Sequence, residues 1–188
     1  MGDESDELVW DRVRAGETRA FGVIWDRHHS RVFRYLVGVS SNAGEAEDLT
    51  ATVFLELWRR RGSVRFVDGS SLPWLIVTAQ NVARNSARAR HRYRRFLSAL
   101  PAPEPAPDHA DRIADRNDAR AALLREELAG LRPADAQLLT LTALEGFTIR
   151  EASIAVGISE SAAKMRLSRL RARLSQAAHT ASLIEENI

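Results

Sequence analysis

The residues of this chain best suited to a chemical role are guanidinium groups, and the chemistry they suit is binding of a polyanion. Arg84, Arg88, Arg90, Arg92, Arg94 and Arg95 crowd one end of a stretch, Gly69 to Pro103, that holds no acidic residue. A second acid-free stretch carries Lys164, Arg166, Arg169, Arg171 and Arg173. Acidic residues collect before Leu49 and between Asp108 and Glu127, so a net charge of +2 conceals two basic blocks. Two such blocks, joined by an acidic-leaning connector, fit two contacts with nucleic acid. The plainer reading of either one is a solvated helix surface. Other chemistries lack their parts. Cysteine is absent, which removes disulfides, zinc-thiolate sites and cysteine nucleophiles. The His28-His29 pair has no third ligand at metal spacing. No Gly-rich phosphate loop, Ser-His-Asp context or paired-carboxylate motif occurs. The sequence predicts no metal, no cofactor and no catalysis.

Positioning these charges requires a folded scaffold. At 188 residues, 45% apolar and 28% charged, the chain has the composition of a folded soluble protein of one to two domains. The longest uninterrupted apolar stretch, around Trp74 to Val77, is far short of the roughly 20 residues a membrane span needs. The opening Met1 to Glu7 is acidic where a secretory signal is basic, and Asp6 stands where an N-myristoylation motif wants Ser or Thr. The expected location is the cytoplasm, without membrane insertion.

Nearly everything reads as helix, and no run alternates with period two for long enough to make a strand, so the expected fold class is all-α. Phe21, Ile24, Trp25, His28, Val32, Tyr35, Leu36 and Val39 form one apolar stripe. A second helix is expected from about Ala43 to Arg61, with Ala46, Leu49, Val53 and Leu57 inward, Phe54 and Trp58 widening the face, and Gly62 as the stop. A polar loop, Ser63 to Ser71, leads to a third helix starting near Leu72 and Pro73 and running through Arg95. Trp10, Trp25, Trp58 and Trp74 lie on helical stripes and are expected to pack in the core rather than stack on bases.

Pro101, Pro103, Pro105 and Pro107 then alternate, which forbids helix and favours a semi-stiff spacer between two domains. Beyond it a helix is expected from Asp108 or Asp111 to about Leu131. Another opens at Pro133 and carries Leu138, Leu139, Leu141 and Leu144 to Gly146. Thr148-Ile-Arg-Glu151 has the form of a capping box. Gly157 fits a left-handed turn, Ile158 a core plug, and Ser159 the cap of a final helix. The result is helix, tight turn, helix. Ala163, Leu167, Leu170 and Leu174 bury together, leaving Ser161, Lys164, Met165, Ser168, Arg169, Arg171 and Ala172 in front, a surface suited to the major groove.

These motifs carry a resemblance. Leu131-Arg-Pro133, Leu138-Leu139, Leu144-Glu-Gly-Phe-Thr148, Glu151-Ala152, Val156-Gly-Ile-Ser159 and the run Ala163 to Leu174 resemble region four of extracytoplasmic-function (ECF) sigma factors. Ala46-Glu-Asp-Leu49, Phe54-Leu55, Trp58-Arg59, Pro73-Trp-Leu75, Ala79, Asn81 and the arginines that follow are similar to region two. The order, spacing and linker are the family's.

The resemblance implies an all-α protein of two helical domains, 1–97 and 111–188, joined by a Pro-rich linker, 98–110. It implies a dissociable subunit of bacterial RNA polymerase, with region two docked on the β′ clamp and opening the minus-ten element, and region four on the β flap reading the minus-thirty-five element. An anti-sigma protein is the antagonist the family implies. For the minus-ten strand the candidates are Asn81, Arg84 and Arg88 along the third helix, and Arg65, Phe66 and Asp68 in the loop, where a flipped base is trapped. Phe66 is the weakest of these candidates, since a lone aromatic next to a helix is more often a core residue. For polymerase docking they are Asp48, Ala51, Thr52, Leu55 and Arg59. Many members carry Gln and Glu where this chain has Ala51 and Thr52, which shifts weight to Leu55 and Asp48. For the minus-thirty-five element they are Ser161, Lys164, Met165, Ser168, Arg169 and Arg171. There Lys164 and Arg171 hold phosphates, Met165 and Ser168 set sequence, and Arg169 pairs with guanine.

Two other readings remain open on the sequence. A stand-alone helix-turn-helix regulator would use residues 1–100 as a sensor or dimerisation domain and bind its operator unaided. A nucleic-acid-processing enzyme would need acidic metal ligands near Arg84 to Arg95, and that stretch has none.

Overall fold

A computed structural model of the chain describes residues 4–98, 128 and 130–186. The alternating prolines and most of the helix expected between Asp108 and Leu131 lie outside the described residues. The rest is helical, as the patterning requires, with one isolated bridge, Val67 to Ser70, among the described residues.

Four helices build the N-terminal half: α1 (Asp6–Arg14), α2 (Thr18–Val37), α3 (Ala43–Arg59) and α4 (Leu72–Ser98). The first is not legible as a stripe because it is short, yet Val9, Trp10 and Val13 are buried and the Trp10 indole N–H donates to the Arg61 carbonyl at 2.9 Å. Ile24, Val32 and Leu36 from α2 meet Ala46, Val53, Phe54 and Leu57 from α3 and Leu75 and Ala79 from α4. Each large apolar side chain so buried contributes about 1.5–3 kcal/mol. All four tryptophans pack in or against this core, as expected. Val39 does not, since α2 ends at Val37 and leaves it exposed; Gly62 is not the stop of α3, which ends at Arg59. The third long helix continues three residues past Arg95, to Ser98.

The C-terminal half contains α5 (Pro133–Leu139), α6 (Ile149–Val156) and α7 (Glu160–Glu186). After α5 the chain widens into a π-helical turn, Thr140–Leu144, in which the Glu145 N–H reaches the Thr140 carbonyl at 3.0 Å. This breaks the 3.6-residue register along the run of leucines. Leu138 and Leu141 are buried, and Leu144 is 71% exposed.

The halves share a second core. Val67 and Ile76 of the N-terminal half pack with Leu138, Leu141, Ala152, Ala155, Ala163 and Leu167. Neighbouring residues on a helix point about 100° apart, so Leu75 can face the first core while Ile76 faces the second.

Candidate nucleic-acid interface

The helix-turn-helix has the geometry its sequence predicts. Thr148 and Glu151 form a reciprocal capping box, with the Thr148 N–H on the Glu151 carboxylate at 2.6 Å and the Glu151 N–H on the Thr148 hydroxyl at 3.2 Å. Gly157 sits at φ +81°, a left-handed conformation that favours glycine. The Ser159 hydroxyl accepts the Ala162 N–H at 3.2 Å and so caps α7. Ala163, Leu167 and Leu170 are buried and Leu174 is half-buried, while Ser161, Lys164, Met165, Ser168, Arg169 and Arg171 are all exposed on the opposite side. Not every cation of the block is presented outward: Arg166 pairs with Asp135 at 2.8 Å, which ties α7 to α5.

In the N-terminal half, the loop expected to be merely polar is a tight turn with an apolar underside. Val64 and Val67 are buried, and Phe66 is half-buried against the first core, the packing role open to it on its residue type. Val67 and Ser70 exchange two backbone hydrogen bonds at 2.9 Å each, around Asp68 at φ +49° and Gly69 at φ +78°. Two consecutive left-handed residues are what a tight hairpin turn of this kind requires, and Asp tolerates that region better than most side chains. Arg65 and Asp68 project from it, both exposed. On α4, Asn81 and Arg88 are exposed and Arg84 is half-buried; Arg90 is drawn onto Glu45 and the Ser86 hydroxyl.

Three of the six minus-ten candidates touch the C-terminal half. Asp68 accepts from Arg150 through both carboxylate oxygens. Asn81 accepts from the Gln137 amide at 3.0 Å. Arg65 lies over the helix-turn-helix glycine, so close that a Cβ on Gly157 would stand 2.2 Å from its Nη1. Arg31 pairs with Glu145 at 2.7 Å, and the Gln80 amide donates to the Thr140 hydroxyl. Burial at this junction pushes the Tyr35 phenol up, against its hydrogen bonds with Gln80 and Thr140.

The five docking candidates come together as one exposed face of α3. Asp48, Ala51, Thr52, Leu55 and Arg59 are all exposed, and Leu55 leaves about half its surface open. The two histidines are occupied otherwise: His28 bonds Asp6 and His29 stacks between Trp25 and Phe33. No group of three or more His, Asp or Glu among the described residues could hold a metal ion.

Sequence reasoning missed the residues that join distant segments: Asp6, Arg31, Arg150 and Glu145. Nothing local marks them, because each partner lies on another element. Asp6 was legible only as part of an acidic start.

A basic helix-turn-helix with an open front, packed on a helical half that carries arginines along its longest helix, is the architecture of a DNA-binding protein. Known proteins narrow this class. Sigma-70 region 2 matches residues 24–93, and Sigma-70, region 4 matches residues 121–174. The RNA polymerase sigma factor CarQ of Myxococcus xanthus is 32% identical over 162 residues, covering 85% of this chain and 89% of CarQ. The ECF RNA polymerase sigma factor BldN of Streptomyces coelicolor is 31% identical over 161 residues, 84% of this chain; the match spans 60% of BldN's own length. The fold is that of CnrH in its complex with the cytosolic domain of CnrY, with TM-score 0.58, 23% identity, and 93% and 97% of the two chains covered. The chain belongs to the ECF RNA polymerase sigma factor family. Sigma factors direct promoter-specific transcription initiation by core RNA polymerase, through regions 2 and 4 that bind polymerase and promoter DNA. Membership favours that function over a stand-alone regulator, and the family is one of transcription regulators rather than catalysts. Among the described residues no helix is long and apolar enough to cross a membrane.

Proposed function

We propose that the two halves divide promoter recognition in this chain, with residues 1–97 docking on the β′ clamp and opening the minus-ten element, residues 98–110 as linker, and residues 111–188 on the β flap reading the minus-thirty-five element. What carries this reading is α7, where a buried Ala163, Leu167 and Leu170 back an exposed Ser161, Lys164, Met165, Ser168, Arg169 and Arg171. Lys164 and Arg171 hold phosphates, Arg169 pairs with a guanine, and Met165 and Ser168 tune the sequence read. Docking uses the exposed α3 face, Asp48, Ala51, Thr52, Leu55 and Arg59.

Along α4, Asn81, Arg84 and Arg88 follow the minus-ten strand. The turn supplies Arg65 and Asp68, with Phe66 beneath them. Since Arg65, Asp68 and Asn81 also hold the C-terminal half, the halves part before a strand reaches them, and polymerase supplies the spacing that keeps them apart. RpoE of Bartonella quintana was solved with the anti-sigma factor NepR and has this fold (TM-score 0.51, 22% identity). The same kind of antagonist, an anti-sigma protein, acts on this chain. The cytoplasm is where it works, without catalysis of its own.

Transcription reconstituted with core RNA polymerase on a promoter library tests this. The expected result is promoter-specific initiation that depends on the chain, with weak DNA binding by the chain alone. Tight operator binding without polymerase would replace it by the stand-alone regulator. Replacing Arg84 and Arg88 together should slow strand opening while sparing polymerase binding. Salt should weaken binding by on the order of one power per phosphate contacted on duplex.

A further inference from the structure

The turn assigned above to the minus-ten strand does not support itself. Beneath it lies Asp6, 5% exposed, at the start of α1. Its Oδ2 accepts from the Ser71 N–H at 2.8 Å, the Ser71 hydroxyl at 2.9 Å, the Ser70 hydroxyl at 3.4 Å and the His28 Nε2 at 2.5 Å. Its Oδ1 accepts from Arg27 at 3.1 Å. Four of its five bonds converge on Oδ2, and three of the five come from the last two residues of the turn.

Ser71 is the pivot. It is fully buried, its N–H has Asp6 as acceptor, and its carbonyl receives the Leu75 N–H that begins α4. The turn and the first turn of α4 therefore take their position from α1. Two further contacts lock the same joint. The Glu7 N–H donates to the Gly69 carbonyl at 3.3 Å, and a Cβ on Gly69 would come within 3.1 Å of the Ser5 Cβ.

We propose that Asp6 is the positioning residue of the strand-capturing turn. By fixing Ser70 and Ser71 to α1 and α2, it sets the direction in which Arg65 and Asp68 project toward a single strand. The inference rests on the assignment of that turn to the minus-ten strand. Asp6 itself touches no DNA; it acts through Ser70 and Ser71.

The test uses Asp6→Asn and Ser71→Ala in the full chain, each assembled with core RNA polymerase. The probe is a single-stranded oligonucleotide carrying the minus-ten sequence that the unmodified holoenzyme selects from a random pool. Affinity for core polymerase and for a duplex minus-thirty-five fragment is measured alongside. Asp6→Asn should weaken oligonucleotide binding about tenfold, the scale of one hydrogen bond to a charged group. Ser71→Ala, which keeps the backbone bond, should weaken it less, and both variants should keep the other two affinities within about twofold of the original. Unchanged oligonucleotide binding by both variants overturns the proposal, and so does an equal loss of all three affinities, the mark of general destabilisation. If Asp6→Asn does not fold, Ser71→Ala decides alone on the same criteria. An unmodified holoenzyme that fails to select any strand overturns the assignment of the turn itself, a result separate from either variant's.

Discussion

Arg150 and Asp68, 82 positions apart in the chain, are joined by one guanidinium nitrogen that reaches both carboxylate oxygens, at 2.9 and 2.7 Å. Arg150 belongs to the first turn of the helix-turn-helix, and Asp68 to the tight turn before α4. The contact ties the turn before α4 to the helix-turn-helix, and it occupies the Asp68 carboxylate, which the proposed function assigns to the minus-ten strand.

Charge reversal at this point should loosen the junction. Both side chains are more than half exposed, so the attraction is screened and loss of one partner is a mild change. Arg150→Glu turns attraction into repulsion. The isolated chain should then show a larger radius of gyration by small-angle scattering and a raised affinity for the minus-ten single strand; equal values for both would show that the apolar junction alone holds the halves.

Arg169→Ala should relax discrimination at one promoter position. A guanidinium that pairs with both O6 and N7 of guanine is worth about 1–3 kcal/mol of base discrimination, and Arg169 is exposed beside Met165 and Ser168. Binding across a minus-thirty-five library should lose its preference at a single base pair. Uniform weakening across all sequences would place Arg169 on phosphate instead.

Adjacent residues of α4 should fail in different ways. Leu75 and Ile76 are both fully buried, one in the first core and the other in the core shared by the halves. Truncation to Ala typically costs 2–5 kcal/mol at such sites. Leu75→Ala should lower the denaturant midpoint of the N-terminal helices. Ile76→Ala should increase hydrogen exchange chiefly at α5 and α6; protection unchanged there would argue that the shared core is not formed in solution.

Acid should weaken the chain partly through Asp6. Burial pushes its carboxyl up, but the hydrogen bonds from His28 and Ser71 and the charge of His28 outweigh it and hold the group well below the usual carboxylate range. The folded chain therefore binds fewer protons than the unfolded one, whose Asp titrates near pH 4. The contribution is complete above about pH 5 and is lost as pH falls toward the folded value. Asp6→Asn should cost about 1.5–3 kcal/mol at pH 7, as for a hydrogen bond to a charged group, and the gap in unfolding free energy from the original chain should narrow steadily between pH 5 and 3. A gap independent of pH would mean that the charge of Asp6 contributes nothing.

Much of this was legible in the chain itself. Capping box, Gly157 turn and Ser159 cap are local devices, set by side chains within a few residues of the backbone groups they satisfy. The stripes of α2, α3 and α7 were legible for a similar reason, since helical period alone decides which residues share a face. The π-helical turn at Thr140–Leu144 escaped because a local change of period leaves no mark in the run of leucines. The α1 helix escaped because nine residues give too short a stripe to stand out.

By itself the sequence determined the long helices α2, α3, α4 and α7, the inward faces of α2, α3 and α7, the basic front of α7 and the exposed face of α3, since each follows from spacing within one segment. Only the tertiary structure decided that Asp6 underpins the turn, that Arg150 engages Asp68, and that Ile76 faces away from the core its neighbour enters. Those outcomes depend on which segments meet in space, and a buried carboxylate or a shared core takes its partners from residues dozens of positions away.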